Sequence, residues 1–213
     1  MISDPFSAHA SATTDSSSAV RLVAAADRGD SKAVLAALHE GVPLEARDHR
    51  RRTALLAAVQ GNHVETARLL MEAGADVNAR DAVLSSPFMT AASQGRPDLL
   101  ALTLQHGANV HSTDRFESTA LMAATERGDV ETVGLLLKSG VAVNHINWLD
   151  WTALLLAVIF GDGSAAYVEI ARLLLDAGAD VNLPDGEGVT ALKHATQRGQ
   201  TKMARLLLAA GGR

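Results

Sequence analysis

The feature that most constrains this chain is a period. An Ala-rich segment opened by Thr or Ser returns at Thr53, Ser86, Thr119, Thr152 and Thr190, with spacings of 33, 33, 33 and 38 residues. Counting back 33 residues from Thr53 lands on Val20, at the head of VRLVAAAD, so the register extends to a sixth unit. The second half of the unit repeats too. VETARLLMEAGADVN (64–78), VETVGLLLKSGVAVN (130–144) and VEIARLLLDAGADVN (168–182) superpose without a gap, and PDLLALTLQHGANVH (97–111) follows more loosely. In a chain with such a period, each unit is one supersecondary element that buries its apolar face only against its neighbours.

Each unit reads as two short helices and a loop. The first helix is Ala-rich, so partners can approach closely. The second carries Leu at i, i+3 and i+4 spacing, which makes one apolar stripe. Composition agrees: only 3% of residues are aromatic, so Ala and Leu must do the packing, which favours close-packed helices over a β-sandwich. Gly74, Gly107, Gly140 and Gly178 stand where the second helix must stop, and glycine tolerates the left-handed conformation that ends a helix. The opening Thr or Ser suits an N-cap, its hydroxyl accepting an otherwise unpaired backbone N–H. The Asp residues of the Gly-Ala-Asp and pre-Thr loops are expected to accept backbone hydrogen bonds in turns rather than to do acid/base work.

The order Thr-x-Leu, Ala-Ala, Gly, Leu-Leu-Leu and Ala-Gly-Ala-Asp-Val-Asn at this period resembles the ankyrin repeat, over about residues 19 to 213. The resemblance implies an all-α ankyrin-repeat solenoid of about six helix-turn-helix units, with β-hairpin fingers projecting at right angles. The units are 19–47, 48–80, 81–113, 114–146, 147–184 and 185–213, after an N-terminal tail over 1–18 that is expected to be disordered. The family usually carries Thr-Pro-Leu-His, its His bonding between repeats. Here the Pro stands only at Pro87, and the His position holds Leu56, Met89, Met122, Leu155 and Lys193. That polar network must be missing or replaced by apolar packing. A five-residue insertion near GDGSAAY (161–167) separates the two helices of the fifth unit, a departure that resembles a bacterial subset of the family.

The resemblance also implies where a partner docks: at the finger tips and the end of the first helix, offsets −4, −3, −1, +7 and +8 from each opening Thr or Ser. In the fifth unit these are Trp148, Leu149, Trp151, Ile159 and Phe160, all large and apolar, and both tryptophans of the protein are among them. Phe116 holds the −3 offset one unit earlier. Three arrangements are open. The aromatic cluster folds onto the insertion with Tyr167, or it stands exposed as a binding hot spot, since Trp is enriched among residues that dominate interface energy, or Trp148 is exposed and Trp151 half-buried. A second candidate is the basic stretch RDHRRR (47–52), with His49, Arg50 and Arg52 at finger positions and with Arg115 and Arg127 continuing the positive character. It is either a solvated loop or a clamp for an acidic partner segment.

The expected function is a non-catalytic module that binds a partner protein on its concave face and thereby regulates or stabilises it. The alternative is a self-associating structural protein using the same apolar patch, although a monomer is expected. No Gly-x-Ser-x-Gly elbow, HExxH motif or phosphate loop occurs, so no catalytic residue, cofactor or metal is expected. A net charge of −5 and the lack of an aromatic platform beside the basic stretch argue against nucleic acid. Cysteine is absent, the start MISDPFSAHASATTDSSS lacks the pattern of a signal peptide, and no run of 18 apolar residues occurs. The expected location is therefore the cytoplasm, without membrane insertion.

Overall fold

The computed structural model describes the backbone of residues 7–213, with side chains from residue 17 onward. The chain divides into two compact units, the first running to Thr90 and including Gln105–Ala108, the second made of Ala91–Leu104 and Asn109–Arg213. The first unit holds α1 (Ser7–Asp27), α2 (Ser31–His39), α3 (Ala54–Gln60), α4 (Val64–Glu72) and the opening turn of α5 (Pro87–Ser93). The second holds the rest of α5, α6 (Pro97–Gln105) up to Leu104, α7 (Ala120–Arg127), α8 (Val130–Lys138), α9 (Ala153–Ile159), α10 (Ala165–Asp176), α11 (Ala191–Gln197) and α12 (Thr201–Ala209).

Within each unit, first helices pack on first helices and second on second. In the first unit α1 lies on α2 and α3, and α4 on α2 and α3. In the second, α7 meets α8 and α9, α9 meets α10 and α11, and α10 meets α8 and α12. Helix α3 is covered on every side: each of Ala54 to Val59 is at most 1% exposed. The second helices bury a stripe, Ala67, Leu70 and Met71 in α4 and Ile170, Ala171 and Leu174 in α10.

Helix α1 reaches into the N-terminal segment. It runs Ser7–Asp27, and residues 1–6 of the expected tail lie outside the described residues. Leu22 and Val23 of α1 are buried as Leu55 and Leu56 of α3 are, in agreement with the register drawn from Val20. No Gly or Pro interrupts the sequence between Phe6 and Asp27. A helix nucleated by its packed end therefore propagates through the Ser/Thr segment, since propagation costs far less than nucleation.

Apolar packing takes the place of the His network. Leu56, Met89, Met122 and Leu155 are all 6% exposed or less, while Lys193 is exposed. Polar links between neighbouring repeats come instead from the recurrent Val-Asn. Asn144 Nδ2 donates to Gly178 O (3.1 Å) and its Oδ1 accepts from Asp180 N (2.8 Å). Asn182 does the same with Gly211 O (3.3 Å) and Arg213 N (3.0 Å), and Asn78 Nδ2 donates to Gly107 O (3.1 Å). The helix starts are capped as expected: Leu56 N donates to Thr53 Oγ1, Met122 N to Thr119 Oγ1 and Leu155 N to Thr152 Oγ1, at 3.2–3.3 Å. Gly74, Gly107, Gly140 and Gly178 all have positive φ.

The fingers are tight turns with little strand pairing. Among the described residues the only strand-like pairing is the bridge between Thr113 and Thr119, because each finger arm is too short for a ladder. Each turn closes with a backbone bond, as from Asp81 N to Ser85 O (2.9 Å) or Asn147 N to Trp151 O (3.1 Å). Inside it, one side-chain oxygen accepts two N–H groups: Asp81 from Val83 and Ser85, Asp114 from Phe116 and Ser118, Asp185 from Glu187 and Val189. The turn needs a left-handed residue two before the opening Thr or Ser. The last repeat supplies Gly188 (φ 77), but the others place Arg51, Leu84, Glu117 and Asp150 there, with φ of 57–65. A bulky side chain in this region costs roughly 1–2 kcal/mol, and glycine returns part of that gain as lost entropy. Leu84→Gly is thus expected to stabilise the protein by about 0.5–1 kcal/mol, seen as a higher urea midpoint with an unchanged slope. A lower midpoint would mean that Leu84, although 43% exposed, packs more than it strains.

The insertion is absorbed mostly as helix. Helix α10 has 12 residues against 9 in α4 and α8, and it starts three residues before Val168, the counterpart of Val64 and Val130. The remaining two lengthen the loop, which has five residues (160–164) where the second repeat has three (61–63).

Candidate functional site

In the second unit the fourth and fifth fingers and the ends of α7 and α9 enclose a cleft of about 550 Å³. Phe116, Trp148, Leu149, Trp151 and Phe160 line it, together with Asp114, Glu126 and Arg127. Most of the apolar lining faces solvent: Trp148 is 61% exposed, Leu149 47%, Phe160 46% and Phe116 37%. Trp151 and Ile159 are half-buried, and Ile159 does not line the cleft.

Neighbouring fingers hold the rings in place. Trp148 N donates to Phe116 O (3.3 Å), and their rings lie 5.4 Å apart at 32°. Arg115 sets its guanidinium 4.6 Å from the Phe116 centroid, within range of a cation–π interaction. Trp151 meets Phe160 edge to face at 6.1 Å. Under this finger sits Asn147, 5% exposed. Its Oδ1 accepts from Leu149 N and Trp151 N as Asp does in the other fingers, and its Nδ2 donates to Ser118 Oγ (3.2 Å). Only the amide supplies that donor, which ties the fifth finger to the fourth.

The insertion's Tyr167 is engaged at the end of α7, where its hydroxyl donates to Glu126 O (2.8 Å) and its ring rests on Gly128. The tryptophan rings engage Phe116 and Phe160 instead. Trp148 stands exposed and Trp151 is half-buried, the mixed arrangement among the three open from sequence. Burial pushes the Glu126 carboxyl above its ordinary value, and the Asp114 charge adds to the effect. Arg127 Nε and Asp129 Oδ2 converge on the Gly95 turn.

The basic stretch lies in the first unit and is partly consumed there. Arg52 is engaged within the chain: its Nε donates to Asp48 Oδ2 (2.9 Å) and its Nη1 to Asp27 Oδ1 (2.9 Å) and Gln60 Oε1 (3.0 Å). Burial raises the Asp48 pKa, but hydrogen bonds from the Arg52 backbone and guanidinium outweigh it and hold that carboxyl below its usual range. Arg47 is spent on Arg51 O and Arg80 O. His49 and Arg50 remain exposed.

A family model of ankyrin repeats in three copies matches residues 9–83 and 88–185, and one of ankyrin repeats in many copies matches 164–208. The chain belongs to the ankyrin repeat family. A crystallised ankyrin repeat domain from Acinetobacter baumannii is 46% identical, with a TM-score of 0.88 over 90% of this chain and 98% of that one. A second crystallised ankyrin repeat protein is 34% identical, with a TM-score of 0.84 over 88% and 96%. The ankyrin repeat domain of Bcl-3, a member of the IkappaB family, is 28% identical, with a TM-score of 0.80 over 91% and 86%. No curated protein matches the sequence. The fold class is the ankyrin-repeat solenoid. Ankyrin repeats are generally protein–protein interaction modules, and domains built from them are generally non-catalytic. No described helix is long and apolar enough to cross a membrane.

Offsets along the ankyrin repeat reached the aromatic lining and, at Glu126 and Arg127, part of its charge. Glu126 occupies the same +7 offset as Ile159, yet it lines the cleft and Ile159 does not. Asp114 and Asn147 fall one residue outside the inspected offsets. Their signal was present as the recurrent Asp or Asn that opens each finger.

Proposed function

We propose that this ankyrin repeat protein is a non-catalytic module that docks one partner protein on the fourth and fifth fingers and the adjoining ends of α7 and α9. Phe116, Trp148, Leu149 and Phe160 act as anchors, with Trp151 and Ile159 behind them and Arg115 and Arg127 at the rim. The observation that carries this reading is the exposure of four large apolar side chains around one cleft. Each aromatic side chain buries about 150–250 Å² when covered, and at about 25 cal/mol per Å² their joint burial is a driving force of several kcal/mol. A partner that covers them gains that energy at little cost in ordering, because the finger turns already hold the rings in place.

Site-specific photo-crosslinking in the protein's own cell tests the proposal. A crosslinker at position 149 is expected to yield a discrete adduct with a different protein, and one at position 138, an exposed site on α8, is expected to yield none. Adducts at 138 and not at 149 would move the docking surface to the second helices. An adduct joining two copies of this chain would replace partner docking with self-association.

A further inference from the structure

We infer that the segment seated in this cleft is an extended stretch of the partner carrying a basic side chain, Lys or Arg, next to an apolar one. The inference rests on the docking surface proposed above and identifies the chemistry of its occupant. The apolar side chain is held by the rings, and the cation lies between the indoles and the Glu126 and Asp114 carboxylates.

The charge of the cleft runs opposite to that of the basic stretch in the first unit. Residues 114–129 and 147–151, which form the two fingers and α7, carry five carboxylates (Asp114, Glu117, Glu126, Asp129, Asp150) against two arginines (Arg115, Arg127). Arg115 is stacked on Phe116, and Arg127 is directed to the Gly95 turn beside Asp129. Among the described residues no cation lies within ion-pairing distance of Glu126 or Asp114. The two carboxylates thus line one largely apolar cleft with no cation in ion-pairing range, and partial burial with the Asp114 charge makes the ionised Glu126 less favourable. A guanidinium or ammonium group answers both features, since it pairs with carboxylates and is attracted to the faces of aromatic rings. An acidic side chain at the same point would add a third negative charge to a partly desolvated site.

The protein supplies its own reporter. It has two tryptophans, and both line the cleft. Peptides selected from a random display library on the full chain, then titrated by tryptophan fluorescence, are expected to share a Lys or Arg beside an apolar residue. Glu126→Gln is expected to weaken them about fivefold, the scale of a partly exposed ion pair, and added salt to weaken them further. Replacing the peptide's basic residue with Gln should cause a similar loss in the native protein and little further loss in the Glu126→Gln variant. Selected peptides that are acidic or uncharged overturn the inference, as does affinity unaffected by Glu126→Gln in a variant with native circular dichroism. If those peptides still depend on Trp148, the docking surface stands and only the cation falls. If they bind without regard to Trp148, both readings fall.

Discussion

Replacing Trp148 and Trp151 together with alanine is expected to weaken partner binding by about 2–4 kcal/mol, the range of interface hot spots, while the helices remain folded. The two positions contribute differently. Trp148 is 61% exposed, and its recorded ring contact is Phe116. Its loss should therefore remove binding area while disturbing little native packing. Trp151 is half-buried against Phe160, and edge-to-face aromatic pairs contribute about 0.5–1.5 kcal/mol beyond burial. The double variant should thus lose a little stability as well. Trp148→Ala alone separates the effects, keeping the melting temperature and losing much of the affinity. Calorimetry with the crosslinked partner, alongside circular dichroism of the variants, measures both. Unchanged affinity in a folded double variant would place the partner elsewhere.

The largest loss of stability is expected in the first unit, from Phe88→Ala. Phe88 is fully buried and holds the position that Leu55, Leu121 and Leu154 occupy in the other repeats, each at most 1% exposed. Truncating a buried Phe to Ala costs about 3–5 kcal/mol, through lost transfer energy and the cavity left behind. That is a large share of the roughly 5–15 kcal/mol that stabilises a domain. Phe88→Leu installs the side chain that the other repeats already use, so it should cost less than about 1.5 kcal/mol. Urea unfolding of the two variants checks the contrast. Equal losses would mean that the third repeat is built around an aromatic ring and does not accept the side chain of its neighbours.

The aromatic patch and the core phenylalanine differ in how far the sequence disclosed them. Phe88 could be placed in the core from the period alone, because its offset from Ser86 equals that of Leu55 from Thr53. Trp148 could be placed on a finger in the same way, but its exposure could not. Whether a ring at a finger tip stays in water depends on what the insertion does, and the insertion has no counterpart in the other repeats. Three of its residues extended α10 and two lengthened the loop, which took Tyr167 to the end of α7. Arg52 shows the same limit in the basic stretch. Its sequence neighbours suggested a free charge, but Asp27, 25 residues away, and Asp48 meet its guanidinium in the folded chain.

The sequence by itself determined what depends on local and periodic rules. These are the repeat, the helix pairs, the Thr caps, the glycine stops and the apolar substitutes for the family's His. Each is set by residues within one 33-residue unit and its copies. The tertiary structure decided what depends on side chains from different units meeting across a gap. It left Trp148 uncovered, matched Arg52 with Asp27 and set Asp114 and Glu126 in one cleft with the tryptophans of the next repeat. Burial and Coulomb interactions depend on distance in space, and the period fixes where a residue sits in its own repeat but not which charges and rings its neighbours bring to it.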